Sequence, residues 1–406
     1  MKKFNINRYW IKIISLLLLL PACSDNTGSI DTFSRQANNG INRIVVEDIL
    51  ESIPFVDLAD SIQYVVLESI DNGSTFLGNI EKVTFFDGRF YVLDTKTAKG
   101  LFCFNSDGSH LFSLKMKGDG PGEFVRITDF DINEKKRQIQ IYDEGNGRMS
   151  LFSLDGDYLG EGPRLSVIGI FPDSFVLLGD TAILYNNNNC SDYGCNSVHL
   201  VNLKNELISQ GIDNKNLSGF NVDFGTPIAR NRDEVAFTQI LNDSIYLLGG
   251  DLSIKTPYVI DFGKYKMNLQ ERNELINNPM QISSFIAQSN KTPGPAYINL
   301  NDDFILLTFL QNRVFVTLVI ERKTHEYKVF RNYWFNNYEY IPTFIVVGNY
   351  ENKFIYFNGN EYMLNFKESN DSIDSHPYAE VLKSINDRTN GVIAIVTFQK
   401  FKQAKN

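Results

Sequence analysis

Past residue 43 the chain is a succession of short apolar or alternating runs separated by Asn, Asp and Gly. Phe90-Tyr91-Val92-Leu93, Ile139-Gln140-Ile141-Tyr142, Ser244-Ile245-Tyr246-Leu247-Leu248 and Val314-Phe315-Val316-Thr317 are typical. The runs are rich in β-branched and aromatic residues, which pack well on a pleated surface, so they predict strands. Two segments repeat visibly. Arg89 to Asp94, Gly100 to Gly108 and His110 to Leu114 are matched by Gln138 to Asp143, Arg148 to Gly156 and Asp157 to Gly160. The Asp closing the second strand recurs after 49 residues (143 − 94) and the Asp-Gly turn after 48 (156 − 108). A four-stranded propeller blade has a period of roughly 40–50 residues. Asp-Gly supplies the positive φ that a tight hairpin needs.

Later units are more degenerate: about 165–212, 216–262, 295–331 and 338–368, with an insertion near 264–294. This spacing predicts an all-β chain, a six-bladed β-propeller of four-stranded blades; two β-sandwiches are the alternative at this length. A ring must close, because an open one leaves sheet edges bare. Strand candidates Arg43–Val46 and Gln63–Leu67 near the start and Val392–Phe398 near the end are expected to share one blade. Helical insertions are expected near 268–288 and 377–388. Asn268-Leu269-Gln270-Glu271 fits a capping box, with Leu269, Leu275 and Ile276 available to pack. Pro377 can open a short helix that Asn390-Gly391 closes.

The N-terminus changes the picture. Lys2, Lys3, Arg8 and Lys12 precede or flank a short apolar run, Ile13 to Leu20, and the segment ends Leu20-Pro21-Ala22-Cys23. A basic start, an apolar stretch well short of a bilayer span and small residues before a cut describe an export signal. The ending resembles the lipobox of bacterial lipoproteins, in which the Cys is lipidated and becomes the new N-terminus; Cys23 is then the anchor. The domain expectation is a signal peptide over 1–22, a flexible polar tether over 23–42 and the propeller over 43–406. The whole chain carries a net charge of −9, and without the four leader cations it has 35 basic against 48 acidic residues, or −13. So acidic a chain is a poor match for nucleic acid, and its membrane attachment rests on lipid rather than on headgroup charge.

At Lys117-Gly118-Asp119-Gly120-Pro121-Gly122-Glu123-Phe124, with Asp129-Phe130-Asp131-Ile132 and Asp143 following, the chain resembles the six-bladed propeller lipoproteins of Bacteroidetes, of TolB-like or NHL-like type. Gly78 to Val83 and Ala379 to Phe398 fit the same pattern. The resemblance implies a lipid-anchored propeller in the cell envelope, most members of the family being of unknown role.

Chemistry is harder to locate. Asp119 and Glu123 are candidates for a cation or sugar hydroxyls at a propeller mouth, although an inter-blade crossover could need the same tight Gly-Pro-Gly-Glu geometry. Asp94 and Asp143, placed equivalently, suggest a repeated structural bond. Trp334, within the aromatic run Tyr333 to Tyr340, is a candidate stacking platform, with core packing as the other use of those rings. Cys190 and Cys195, in an Asn-rich loop of an exported chain, are expected to form a local disulfide. Cys103, between Phe102 and Phe104, reads as a buried small hydrophobe. His110, His199, His325 and His376 show no metal-ligand spacing, so no metal site is expected. Ca²⁺ stays open through acidic and Asn-rich turns such as Asn301-Asp302-Asp303. The sequence thus predicts an outer-membrane lipoprotein, facing periplasm or cell surface, that acts as a non-catalytic binding or scaffold module for a glycan, peptide or protein. The alternative is a carboxylate-dependent hydrolase or lyase acting on a sugar or lactone at the central channel.

Overall fold

Strands with apolar residues on both faces need cover on both sides, and a ring of radially stacked sheets provides it. In the computed structural model, which describes residues 31–32, 40–186, 194–202, 204–214, 225–249, 253–278, 281–334, 346–369 and 373–401, the strands build such a ring. A strap comes first: β1 (Asp31–Thr32), β2 (Asn42–Val45), β3 (Leu50–Pro54) and β4 (Ala59–Val66). Blade one is β5 (Ile80–Phe86), β6 (Arg89–Asp94), β7 (Gly100–Asn105) and β8 (His110–Lys115). Blade two is β9 (Ile127–Asn133), β10 (Gln138–Asp143), β11 (Arg148–Ser153) and β12 (Tyr158–Glu161). Blade three is β13 (Ser174–Leu178), β14 (Thr181–Tyr185), β15 (Asn196–Asn202) and β16 (Leu207–Asp213). Blade four is β17 (Ile228–Asn231), β18 (Glu234–Thr238), β19 (Ser244–Leu248) and β20 (Ile254–Asp261). Blade five is β21 (Pro295–Leu300), β22 (Phe304–Gln311), β23 (Val314–Glu321) and β24 (Tyr327–Trp334). The sixth joins β25 (Val346–Tyr350), β26 (Lys353–Asn358) and β27 (Val392–Phe398) to β4 from the other end of the chain. The molecule is a six-bladed β-propeller.

Closure is antiparallel, from Val392 opposite Val66 to Phe398 opposite Ala59. The expected union of the two chain ends therefore holds for the strand containing Gln63 to Val66. It does not hold for Arg43–Val46. Residues 42–45 instead add a fifth, parallel strand to blade four, with Asn42 opposite Tyr258 and Val45 opposite Asp261. β3 does the same for blade five and β1 for blade three. The reason is packing: Ile44, Val46, Ile53, Phe55 and Leu58 are all buried, in the layers between blades four and five and between five and six. Asp31 and Thr32, paired with Ser209 and Gln210, fall inside the segment expected as tether.

The core is six inter-blade layers rather than one centre. In blade one, Phe90, Val92, Phe102 and Phe104 pack toward blade six, while the alternate residues Tyr91, Leu93, Leu101 and Cys103 pack toward blade two. Period-two alternation therefore separates two buried faces instead of core from solvent, which explains the continuous apolar runs.

The helices fall in the expected regions, with one addition, but the last one runs only from Ala379 to Ser384, so Pro377 precedes its cap and Asn390-Gly391 does not close it. α1 (Leu269–Asn277) has the predicted capping box: Asn268 Oδ1 accepts from the Glu271 N–H at 2.9 Å and Glu271 Oε2 accepts from the Asn268 N–H at 2.7 Å. Leu275 is buried, but Leu269 is 75% exposed and does not pack. α2 spans Ile282–Gln288. α3 (Asn360–Glu368), which the strand pattern missed, and α4 (Ala379–Ser384) lie between β26 and β27. The sixth blade thus ends at Phe398 rather than near 368. Among the described residues no helix is long and apolar enough to cross a membrane.

Candidate functional site

The inner strands β5, β9, β13, β17, β21 and β25 surround a central channel. Its wider mouth is a cavity of about 1040 Å³ on the side of the blade-to-blade crossovers, lined by Glu81, Lys82, Lys96, Lys99, Lys117 and Arg126 among others. The opposite, narrower mouth has a volume of about 440 Å³.

Paired charges line the channel between the mouths. Lys82, on blade one, reaches across to blade two. Its Nζ lies 3.1 Å from Asp129 Oδ1 and donates to the carbonyls of Phe130 at 2.7 Å and Phe175 at 3.3 Å. Asp129 also accepts the N–H groups of Phe130 (2.7 Å) and Phe175 (2.8 Å). Asp131 accepts those of Ile132 and Leu177, each at 2.8 Å, and faces Arg230 Nε at 3.5 Å. Asn133 Nδ2 donates to the Gly179 carbonyl at 2.6 Å. Residues 129, 131 and 133 lie at period two on one strand, so all three side chains reach the bare edge of β13 and satisfy its backbone. Burial pushes the Asp129 carboxyl above the usual carboxylate range, opposed by Lys82 and the two backbone bonds. These carboxylates are occupied structural acceptors, which leaves them little capacity for acid–base work.

Glu81 is one of the carboxylates lining the wide mouth, with Asp129, Glu144 and Asp173. Its oxygens accept from the Thr95 N–H (2.9 Å), the Thr95 hydroxyl (2.7 Å) and Asn79 Nδ2 (2.9 Å). Burial raises its pKa, with the Thr95 hydrogen bonds opposing. Around it the rim is basic. Arg126 pairs with Glu144 at 2.8 Å. Lys99 and Lys117 are exposed and have no ion-pair partner among the described residues.

Asp94 and Asp143 play the repeated role expected of them. Asp94 accepts the N–H groups of Gly78 (2.8 Å), Asn79 (3.2 Å), Lys96 (3.2 Å) and Thr97 (2.7 Å). Asp143 accepts those of Val125 (3.1 Å), Arg126 (2.8 Å) and Gly145 (3.1 Å), and Asn146 Nδ2 at 2.7 Å. Each clamps an incoming crossover to the loop after its own strand, and so shapes the wide mouth without facing it.

In the Gly-Pro-Gly-Glu loop, Glu123 Oε2 accepts the Gly120 N–H at 3.3 Å. A Cβ on Gly118 would sit 2.6 Å from the same oxygen, so the loop closes on its own glutamate. Asp119 is exposed, and its carbonyl accepts from Arg148 at 3.3 Å. Neither carboxylate is among the residues lining the wide mouth. Trp334 ends β24, opposite Pro54, and its side chain lies outside the described residues. Cys23 and Cys190 also lie outside them; Cys195 is disulfide-bonded. Cys103 is a buried free thiol. Among the described residues no three His, Cys, Asp or Glu side chains are grouped as metal ligands. Sequence reasoning missed Lys82 and Arg230, single cations on apolar strands. The available signal was the Asp-x-Asp-x-Asn stripe of β9, polar at period two where a strand buried on both faces should be apolar.

A protein of Bacteroides fragilis provisionally named as exported has a similar structure, with a TM-score of 0.74 at 15% identity over 88% of this chain and 100% of that one. A member of the DUF4221 family from Bacteroides vulgatus reaches a TM-score of 0.50 at 10% identity, over 84% and 97%. No curated protein matches the sequence. Residues 41–397 match a family described as "Domain of unknown function (DUF4934)".

Proposed function

The chain belongs to the DUF4934 family, and from that premise we propose that it is a non-catalytic binding module of the bacterial envelope, its ligand a glycan, peptide or protein with acidic groups held at the wide mouth of the propeller. One observation carries this reading: the channel carboxylates Asp129 and Asp131 are fully engaged, while the rim above them presents Lys99 and Lys117 unpaired in an otherwise acidic protein. Channel carboxylates already spent on structural bonds, beneath an open, charged mouth, suit capture rather than turnover. The leader and the exported designation of the similar Bacteroides fragilis protein support an extracytoplasmic place for it. In this reading Cys23 carries lipid in the outer membrane, the propeller faces the periplasm or cell surface, and no nucleic acid is involved.

The test is calorimetric titration of the purified full chain with trigalacturonate and with a Glu-rich peptide, at low and high salt. At least one acidic probe should bind, more weakly as salt rises, and the Lys99→Glu/Lys117→Glu variant should lose it. No binding of either probe, or binding indifferent to that variant, contradicts the reading. A second reading rests on Glu81, whose raised pKa at the mouth is the property of a general acid. It requires turnover that Glu81→Gln abolishes.

A further inference from the structure

We propose that the narrow mouth is a separate binding site for a neutral, hydroxyl-rich ligand, a short saccharide. The bowl is built from the far ends of the inner strands: Thr84 and Phe85 on blade one, Asn231 on blade four, Asn299 on blade five, Asn349 and Tyr350 on blade six. It has a floor. Asn349 Nδ2 donates to the Arg230 carbonyl at 3.0 Å, a bond that ties blade six to blade four past the inner strand of blade five. Gly348 lets β25 close against β5 of blade one, because a Cβ there would lie 2.0 Å from the Val83 carbonyl oxygen.

Asn299 is the telling residue. It is only 7% exposed, it lines the bowl, and its carboxamide makes no hydrogen bond to any described group. Its polar atoms are not among the fully enclosed ones, so they open into the bowl, where a ligand can pair with them without displacing a protein partner. A carboxamide offers a donor and an acceptor side by side, which matches two neighbouring hydroxyls.

The charges argue against an anionic ligand, since Asp233 and Glu351 also line the bowl with no ion-pair partner among the described residues. Arg230 is held by Asp131 and by Glu134 at 2.9 Å, and Arg232 by Asp302 at 2.9 Å. With the cations neutralised in place, recognition falls to amides, the Thr84 hydroxyl and apolar surface. That surface is a corner: the Phe85 and Tyr350 rings meet at 63° with centroids 4.5 Å apart. A sugar ring presents hydroxyls at its edge and C–H groups on its face, the combination this bowl offers. Its volume of about 440 Å³ accommodates one or two sugar rings and lies within the range of ordinary small-molecule pockets. An extended peptide would instead need backbone donors and acceptors in register; the bowl supplies side-chain amides.

The test is saturation-transfer NMR on the purified full chain with maltose, cellobiose and N,N′-diacetylchitobiose as probes. At least one should give a saturable signal. Asn299→Ala and the near-isosteric Thr84→Val should each weaken it at least tenfold, with melting midpoints within about 2 °C of the parent. Lys99→Glu/Lys117→Glu, on the opposite mouth, should leave it unchanged. No signal from any of the three sugars overturns the proposal. So does a signal that survives Thr84→Val and Asn299→Ala, or one lost with the wide-mouth variant. Because the two sites are tested by different variants, this proposal and the one for the wide mouth can fail independently.

Discussion

Replacing Lys82 with Met tests the channel architecture at its most loaded point. Met keeps the unbranched stem and deletes the ammonium. Asp129, whose side chain is 5% exposed, then retains the Phe130 and Phe175 N–H groups but loses the one cation paired with it among the described residues, and the Phe130 carbonyl loses a 2.7 Å donor. Breaking a buried pair from one side typically costs about 3–5 kcal/mol. The surviving backbone bonds and proton uptake by Asp129 place the expected loss near the lower end. The pH dependence follows from linkage. Burial already holds the folded Asp129 carboxyl above its ordinary value. A carboxyl raised in the fold binds its proton better folded than unfolded, so its penalty appears as pH rises from the unfolded value, near 4, through the folded one. Loss of Lys82 lifts the folded value further. The gap between variant and parent should therefore be small near pH 4.5 and full at pH 8, in urea unfolding followed by fluorescence. Adding Asp129→Asn removes the orphaned charge and should restore at least half of the loss. A deficit under about 1 kcal/mol at pH 8, or one equal at both pH values, would refute the reasoning.

Other consequences are more local. Asp143→Ala leaves three crossover and loop N–H groups without their acceptor and should cost about 2–4 kcal/mol in unfolding free energy, with binding at the narrow mouth unchanged. Phe55, fully buried in the strap and edge-on to Tyr333 at 5.3 Å, should lose about 3–5 kcal/mol on Phe55→Ala; a loss below 1 kcal/mol would make the strap ornamental. His199 is buried and its imidazole is pushed down to about 4 by desolvation. A base depressed in the fold contributes stability above its unfolded value that fades as pH falls toward the folded one. Stability should thus decline between about pH 6.5 and 4, by at most about 3 kcal/mol, and His199→Leu should flatten that decline. The Cys103 thiol, raised to about 12 by burial, should resist iodoacetamide at pH 8 in the native protein and react once it is unfolded.

The blades were legible because their cues are local. Asp94 and Asp143 each bond loops within 18 residues in sequence, so a repeat of 49 residues copies the whole arrangement. The strap was half legible. Residues 43–46 read correctly as a strand, but their partner on β20 lies more than 200 residues away, and nothing in the three-residue apolar run Ile44 to Val46 chooses among the open blade edges. α3 was missed because its few apolar residues, Tyr362, Met363 and Phe366, come soon after the strand Phe354–Phe357 and read as part of the same blade. At the site, the Asp129-x-Asp131-x-Asn133 stripe was on view, but its meaning depends on β13 presenting a bare edge. Lys82 and Arg230 gain significance only when the ring brings Asp129 and Asp131 to them. The conspicuous Gly-Pro-Gly-Glu loop, by contrast, spends at least one of its glutamate's hydrogen bonds on its own backbone.

The central claim is capture without chemistry, and turnover measures it most directly. The purified protein would be incubated with each saccharide or peptide that it binds, in large molar excess, and the mixture followed by mass spectrometry over a day. Every probe should be recovered intact while the complex persists. A product that accumulates beyond one equivalent per protein, and disappears with Glu81→Gln, would contradict the account and make the propeller an enzyme.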